Sequence, residues 1–487
     1  MIFQNQKGNS VDALLLTTVK LIATVISLIT IRIISDKFSY SDYGTYNQAV
    51  IIASTMASII ILGFTDATNY FFNKYSSNDS VQKEYLSTIV VFQVLLGSLT
   101  GLIIIFLKSS IAKFMDNESL LSIIKWVAFT PLLSNILSIQ QILFISLGKS
   151  KVIAARNLFI SIFRLLVILI AAYVTKNIVT ILVAMLFCDI IQVFYFTRLL
   201  SKDGIEISFK AYSNRILKNI LIFALPMSMF VITNSLMRDC DKYIVSYYTD
   251  PETFAVYSNA SRILPFSIIV DSFTTVLIPI ITKSLHNAQI QNVEKIYKNY
   301  LNLSLTISWI LITGAVVCAS DLILILYGNK YVVGLSIFIV YLIVSLARFA
   351  NLSLLFSASG NSKIIMKISL GSLVANILLS LLLFDCIGIL GCAIATLVVT
   401  VLVDIIYLYK GKTILNISLF RLFEGKYLFK LLFQSLLIGA IVLFLQKYML
   451  NTHLFMRFLV TYGIYVLGLS LINRNRILQY FKDLNRL

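Results

Sequence analysis

Charge is what this sequence has least of. Only 13% of its 487 residues are Asp, Glu, Lys or Arg, against 59% hydrophobic, and the mean hydropathy is +0.90. A soluble fold needs far more polar surface, so the composition points to a polytopic membrane protein. Histidine is nearly absent: His286 and His453 are the two, both in predicted loops, and they give no basis for a metal centre. Five cysteines, Cys188, Cys240, Cys318, Cys386 and Cys392, lie scattered without C-x-x-C spacing, which suggests neither a metal cluster nor a disulfide framework. A nucleotide loop is missing too. The stretch ISLGKSKVI from Ile145 to Ile153 contains Gly148, Lys149 and Ser150, the end of a P-loop, yet Leu143 stands where the motif's first glycine must let backbone N–H groups curl around phosphates.

What is present is a succession of apolar runs long enough to cross a bilayer, which takes about 20 residues in a helix. They read as 14 spans near residues 12–34, 44–63, 86–107, 120–146, 153–174, 178–197, 219–237, 254–281, 299–319, 333–356, 364–384, 387–409, 430–446 and 454–472. The runs are continuously apolar and too long for the alternating strands of a barrel, so the fold class is an all-α polytopic membrane protein of about 14 transmembrane helices. The first run is too long for a signal peptide and lacks a small-residue cleavage site. The net charge of +18 follows the positive-inside rule: with the N-terminus inside, roughly 25 Lys/Arg fall at the inner face and roughly 8 at the outer one. Both termini are therefore expected in the cytoplasm, and lipid, not nucleic acid, is the expected partner of the basic loops.

The second half repeats the first. LFISLGKSKVI from Leu143 to Ile153 aligns with LFSASGNSKII from Leu355 to Ile365, and YGTYNQA from Tyr43 to Ala49 aligns with FAVYSNA from Phe254 to Ala260 at nearly the same offset. Six spans form one unit, and an even number gives both copies the same orientation, the parallel-repeat plan. The expected organisation is a six-helix lobe over 1–200, a cytoplasmic linker over 201–218, a second six-helix lobe over 219–410, and two additional helices with a cytoplasmic tail over 411–487.

Two runs then carry a family resemblance: IISDKFSYSDYGTY from Ile33 to Tyr46, and LGFTDA from Leu62 to Ala67. With ALPM at Ala224–Met227, DKYI at Asp241–Ile244, AVY at Ala255–Tyr257 and GILGCAIAT at Gly388–Thr396, the chain resembles polysaccharide flippases of the multidrug/oligosaccharidyl-lipid/polysaccharide exporter superfamily along almost its whole length. The resemblance implies a transporter that flips polyprenyl-diphosphate-linked oligosaccharide across the bacterial inner membrane, as in O-antigen or capsule assembly, without enzymatic chemistry. It also implies a polysaccharide polymerase and a chain-length regulator as partners, and a cavity faced by spans 1, 2, 7 and 8.

The polar residues inside spans supply candidates for that cavity. Thr17, Lys20, Thr24 and Ser27 recur every three or four residues as one stripe on span 1. A lysine at bilayer depth costs about 3 kcal/mol or more unless it meets water or a counter-charge. Lys20, Arg32, Arg262 and Arg348 are the candidates to bind a diphosphate, the arginines through a planar fork and the lysine as a point charge; an internal ion pair or a snorkelling stem is the alternative for each. Asp271 is the candidate for coupling to protons or sodium, with no resident cofactor expected, and Arg238, Asp239 and Asp241 suggest a charged gate at the outer end of span 7, or simply a solvated helix end. Arg164 is paired in expectation with Asp189, Asp404 is a partner within its own lobe, and Lys125 and Arg457 are structural.

Three other activities compete. A drug or cation antiporter of the same superfamily would be expected to carry a carboxylate in span 1, where Lys20 stands with no interior acid. A lipid-linked peptidoglycan precursor flippase is a second relative. A membrane-embedded polymerase or glycosyltransferase would carry a sizeable outer loop and a nucleophile–base constellation, and neither is visible.

Overall fold

The computed structural model describes residues 5–76, 78–417 and 421–485. Its elements are helices because backbone N–H and C=O groups in lipid must find partners within their own segment. In chain order they are α1 Asn5–Lys37, α2 Tyr40–Ile60, α3 Phe64–Lys74, α4 Asp79–Phe106, α5 Lys108–Phe114, α6 Leu120–Val127, α7 Thr130–Ser146, α8 Ser150–Ile170, α9 Val179–Lys202, α10 Asn214–Tyr248, α11 Pro251–Ala260, α12 Ile268–His286, α13 Ile290–Val317, α14 Ala319–Tyr327, α15 Leu335–Ala347, α16 Leu354–Ala358, α17 Ser362–Ile387, α18 Ile389–Leu415, α19 Gly425–Tyr448, α20 Leu454–Ile472 and α21 Arg474–Asn485. No strand occurs among the described residues.

Eleven helical segments among the described residues are long and apolar enough to cross a membrane, and two bent pairs bring the count to 13. One pair joins α2 to α3 at 41°; the other lies within α10, at 51° between Leu225 and Ser228. The first bend has a clear cause: Leu62 and Gly63 both take positive φ, and a Cβ on Gly63 would lie 2.7 Å from the carbonyl oxygen of Ala224. Glycine there permits both the left-handed turn and the close approach of α10. The remaining expected span, 254–281, is interrupted: α11 stops at Ala260, a single 3-10 turn covers Pro265–Ser267, and α12 resumes at Ile268. Pro265 has no N–H to give a helix.

The chain forms two compact units, Met1–Ala255 and Val256–Leu487. In the first, α7 is the hub and touches α2, α3, α4, α8 and α9, while α1 lies along α8 and α10 packs on α2, α3 and α4. Phe64, Leu143, Phe144, Leu200 and Ile220 are fully buried there. Lipid offers no hydrophobic gain for helix association, so close packing and interhelical hydrogen bonds hold such a unit together. The segment after α9 is pinned to it: Lys149 pairs with Asp203 and Lys83 with Glu206, each at 2.5 Å, while the Ser208 and Ser213 amides donate to Ser87 Oγ (3.0 Å) and Thr88 Oγ1 (3.2 Å). Lys149, the false phosphate lysine, is thus a tether for the linker.

In the second unit α13 is the hub, contacting α12, α15, α18, α19, α20 and α21. Arg457 on α20 makes a two-toothed ion pair with Asp321 on α14, at 2.6 and 3.0 Å, with both side chains largely buried. The structural role expected for Arg457 therefore has a partner that the sequence did not suggest.

The repeat is visible in backbone detail. Gly148 has φ 69° and Gly360 φ 73°. The Lys149 amide donates to Phe144 O at 2.8 Å and the Asn361 amide to Phe356 O at 2.9 Å; the Gly148 and Gly360 amides donate to Ile145 O and Ser357 O at 3.0 and 3.2 Å. Both copies end their helix in the same Schellman turn, which requires a residue in the left-handed region. Leu143, Phe144, Leu355 and Phe356 are all fully buried before it.

Candidate functional site

Lys20 stands exposed on α1 and lines a pocket of about 550 Å³ whose other walls come from Gln141 and Ile145 of α7 and Ile153, Arg156, Asn157, Ile160 and Ser161 of α8, with Ala23 beside Lys20. The span-1 stripe therefore does face a cavity, here one inside the first unit. Thr24 Oγ1 donates to Lys20 O at 2.8 Å, satisfying the hydroxyl within the helix. The side chain of Thr17 lies outside the described residues.

Arg156 was not among the expected candidates. Its Nε donates to Gln192 Oε1 at 3.0 Å, its Nη1 to Gln141 Oε1 at 3.4 Å, and its guanidinium lies 5.6 Å from the centroid of the Phe196 ring. Gln192 turns its amide nitrogen to Asp189 Oδ1 at 3.0 Å. Neutral amides thus hold the arginine, and the carboxylate stands one residue further away. The cue in the sequence is Arg156 followed by Asn157 just inside span 5, with Gln140 and Gln141 on the preceding helix; next to the inner surface it reads as one more basic anchor.

For Arg164 the direct hydrogen bond goes from Nη2 to Tyr46 Oη at 2.8 Å, while Asp189 acts on both Arg164 and Arg156 through space. The repeat partner of Tyr46 is Tyr257, whose hydroxyl is 3.3 Å from that of Tyr341. In both copies this buried tyrosine finds a polar partner on another helix, as buried hydroxyls must.

At the outer end of α10, Asp239 accepts from Lys242 Nζ at 2.7 Å and lies 3.4 Å from Arg238 Nε, with Arg238 also donating to Ser235 Oγ at 3.2 Å. The three charges form one cluster. The expected stripe of Asn234, Arg238 and Asp241 divides: Asn234 and Arg238 are exposed and Asp241 is buried. The last turns of α10 are packed against α2, where Tyr243 Oη donates to Ile51 O at 3.2 Å. A polar network missed by sequence reading lies alongside. Gln48 donates to Met115 O (2.9 Å) and Ser246 Oγ (2.8 Å), and Asn117 donates to Thr45 Oγ1 (2.8 Å) and Gln48 Oε1 (2.6 Å).

In the second unit, Arg262 is half-buried on the non-helical stretch between α11 and the 3-10 turn. Discontinuous helices of this kind recur at transporter substrate sites, because the break exposes backbone groups to a cavity. Arg348 caps α15, at another interruption before α16, and acts on Asp404 of α18 through space. Arg32 is half-buried near the end of α1. Lys125 lies over the Trp126 ring at 5.2 Å. The side chain of Asp271 lies outside the described residues.

The profile of a family described as "Polysaccharide biosynthesis protein" matches residues 29–335. A curated relative, "Probable lipid II flippase MurJ" of Rickettsia prowazekii (strain Madrid E), is 23% identical over 366 residues, covering 71% of this chain and 69% of the relative. Among solved structures, "Lipid II flippase MurJ, inward closed conformation" superposes with a TM-score of 0.75 at 16% identity, covering 95% of this chain and 100% of that one. An outward-facing multidrug resistance MATE family transporter of the MOP superfamily gives a TM-score of 0.59 at 13% identity, over 83% of this chain and 95% of its own. These likenesses give the fold, an all-helical transporter architecture that agrees with the span count and the repeat. The profile match takes in well over half of the sequence, and the chain belongs to the polysaccharide biosynthesis protein family.

Proposed function

We propose that this multi-pass membrane protein flips a polyprenyl-diphosphate-linked oligosaccharide from the cytoplasmic to the outer face of the bacterial inner membrane, by alternating access and with both termini in the cytoplasm. The observation that carries the reading is the pairing of Lys20 with Arg156 along one polar pocket of membrane-spanning helices. Charges at that depth are retained where they meet water or an anion, and a diphosphate head group with its tail in lipid supplies the anion. The family match supports a glycan as the cargo. O-antigen or capsule repeat units, a downstream polymerase and a chain-length regulator belong to this proposal. So does coupling of the cycle to protons or sodium, assigned to Asp271, with Arg238, Asp239 and Asp241 as the outer gate and Arg32, Arg262 and Arg348 as further head-group contacts.

Deleting the gene in a strain with no second flippase tests the reading. Lipid-linked repeat units should accumulate on the cytoplasmic side and surface polysaccharide should fall; unchanged surface polysaccharide would contradict it. A second reading, transport of a lipid-linked peptidoglycan precursor, is favoured by the curated relative named as a probable lipid II flippase. It requires instead that depletion arrest wall synthesis while surface polysaccharide precursors remain normal.

A further inference from the structure

Of the charges inside the spans of the first unit, Lys20 and Arg156 line the described pocket there that bears cations from two helices. Lys20 forms no ion pair among the described residues. Arg156 is positioned by Gln192 and Gln141, which occupy two of its N–H donors. A guanidinium has five donors, so it retains capacity for a ligand. Gln192 holds Asp189 at one remove, which leaves the arginine's charge only partly offset. Asn157 and Ser161 stand one turn apart on the same wall, with Ser161 Oγ donating to Asn157 O at 2.8 Å. The amide of Asn157 is therefore the nearest neutral donor to the two cations on α8.

We infer that this pocket binds the diphosphate of a prenyl-type lipid head group, with Arg156 as the fork, Lys20 as the second charge, and Gln141 and Asn157 placed for the first sugar. The inference rests on the flippase reading and deepens it by naming the contact group. Its volume of about 550 Å³ equals about 18 waters at about 30 Å³ each, room for a diphosphate and a sugar together where a single phosphate would leave most of the space unfilled. Two cations from separate helices match the two linked phosphates. Arg156 follows the basic turn residue Lys151 by five positions, about 7.5 Å along α8, a depth suited to a head group whose chain remains in lipid.

Binding of geranylgeranyl diphosphate to the purified full-length protein, in nanodiscs of phosphatidylcholine, tests this by calorimetry. Lys20→Gln and Arg156→Gln should each weaken binding about tenfold, and Arg156→Lys, which keeps charge without the fork, a few-fold. Competition by inorganic diphosphate would support recognition of the head group by itself; failure to compete would support recognition of the lipid-linked form. Equal competition by phosphatidylglycerol would overturn the inference, since any anionic lipid would then suffice. Unchanged affinity in both glutamine variants would also overturn it. If Arg156→Gln does not accumulate in the membrane, Lys20→Gln decides the matter, because that side chain has no ion pair to lose. Normal surface glycan after gene deletion, alongside Lys20-dependent binding, would refute the flippase reading and leave the pocket intact. Loss of glycan with Lys20-independent binding would do the reverse.

Discussion

The two units treat charge differently although they repeat the same helical plan. In the second, Arg457 is locked to Asp321 by two hydrogen bonds and Arg348 has Asp404 on the neighbouring α18. In the first, Lys20 and Arg156 line an open pocket, with amides where the second unit supplies a carboxylate. A cation closed by an acid fixes the fold, whereas one held by amides keeps its charge for something else. The contrast extends to the repeated turn: Gly148 and Gly360 share a conformation, yet the next residue is Lys149, tied to Asp203, in one copy and Asn361 in the other.

Breaking the closed pair should have the largest effect. Asp321→Asn or Arg457→Leu leaves a buried charge without its partner and should destabilise the detergent-solubilised protein by about 3–5 kcal/mol; thermal unfolding will show it, and the double substitution should recover most of the loss. The Gln48 network comes next. Gln48→Ala strands Asn117, Ser246 and a backbone carbonyl, for a loss of about 1–3 kcal/mol, with hydrogen exchange rising first around residues 115–119. Lys20→Gln, in contrast, should leave the melting temperature unchanged while export falls, which separates the open cation from the closed one.

The repeated turn gives a finer comparison. Gly148→Ala and Gly360→Ala should each cost about 1 kcal/mol, and by nearly the same amount, because both residues occupy the left-handed region. A large inequality would mean that the two turns are not equivalent. The smallest effect concerns the linker. The hydrogen bond from Lys83, together with its charge, holds the Glu206 carboxyl below the usual carboxylate value. A depressed pKa contributes stability above the unfolded value, about 4.3, and loses it as pH falls through the folded one. Limited proteolysis near residues 203–213 should therefore increase below about pH 4.3, and Lys83→Ala should remove that pH dependence.

Much of this was legible in the sequence. Hydropathy located the spans because crossing lipid leaves a helix little freedom in length or polarity, and the paired turns were readable because a left-handed residue constrains sequence. The breaks were not. The residues around Leu62 and Gly63, and those from Arg348 to Ser353, are as apolar as intact helix or nearly so, and hydropathy carries no record of backbone direction. Partner identity also escaped: Asp321 lies 136 positions from Arg457, and the Gln48–Asn117 contact joins segments 69 positions apart. One helix's periodicity reports which face is polar, not what meets it. Lys20 was found because it stands alone in an apolar run, while Arg156, close to the basic turn, resembled an anchor.

The most direct test of the account is transport by the purified protein in liposomes, using a fluorescent polyprenyl-diphosphate oligosaccharide and a membrane-impermeant quencher. Wild-type protein should move the lipid between leaflets, and Lys20→Gln with Arg156→Gln should slow it at least tenfold without altering the melting temperature by more than the Gln192 and Gln141 contacts explain. Transfer at the same rate in liposomes with and without the wild-type protein would contradict the account.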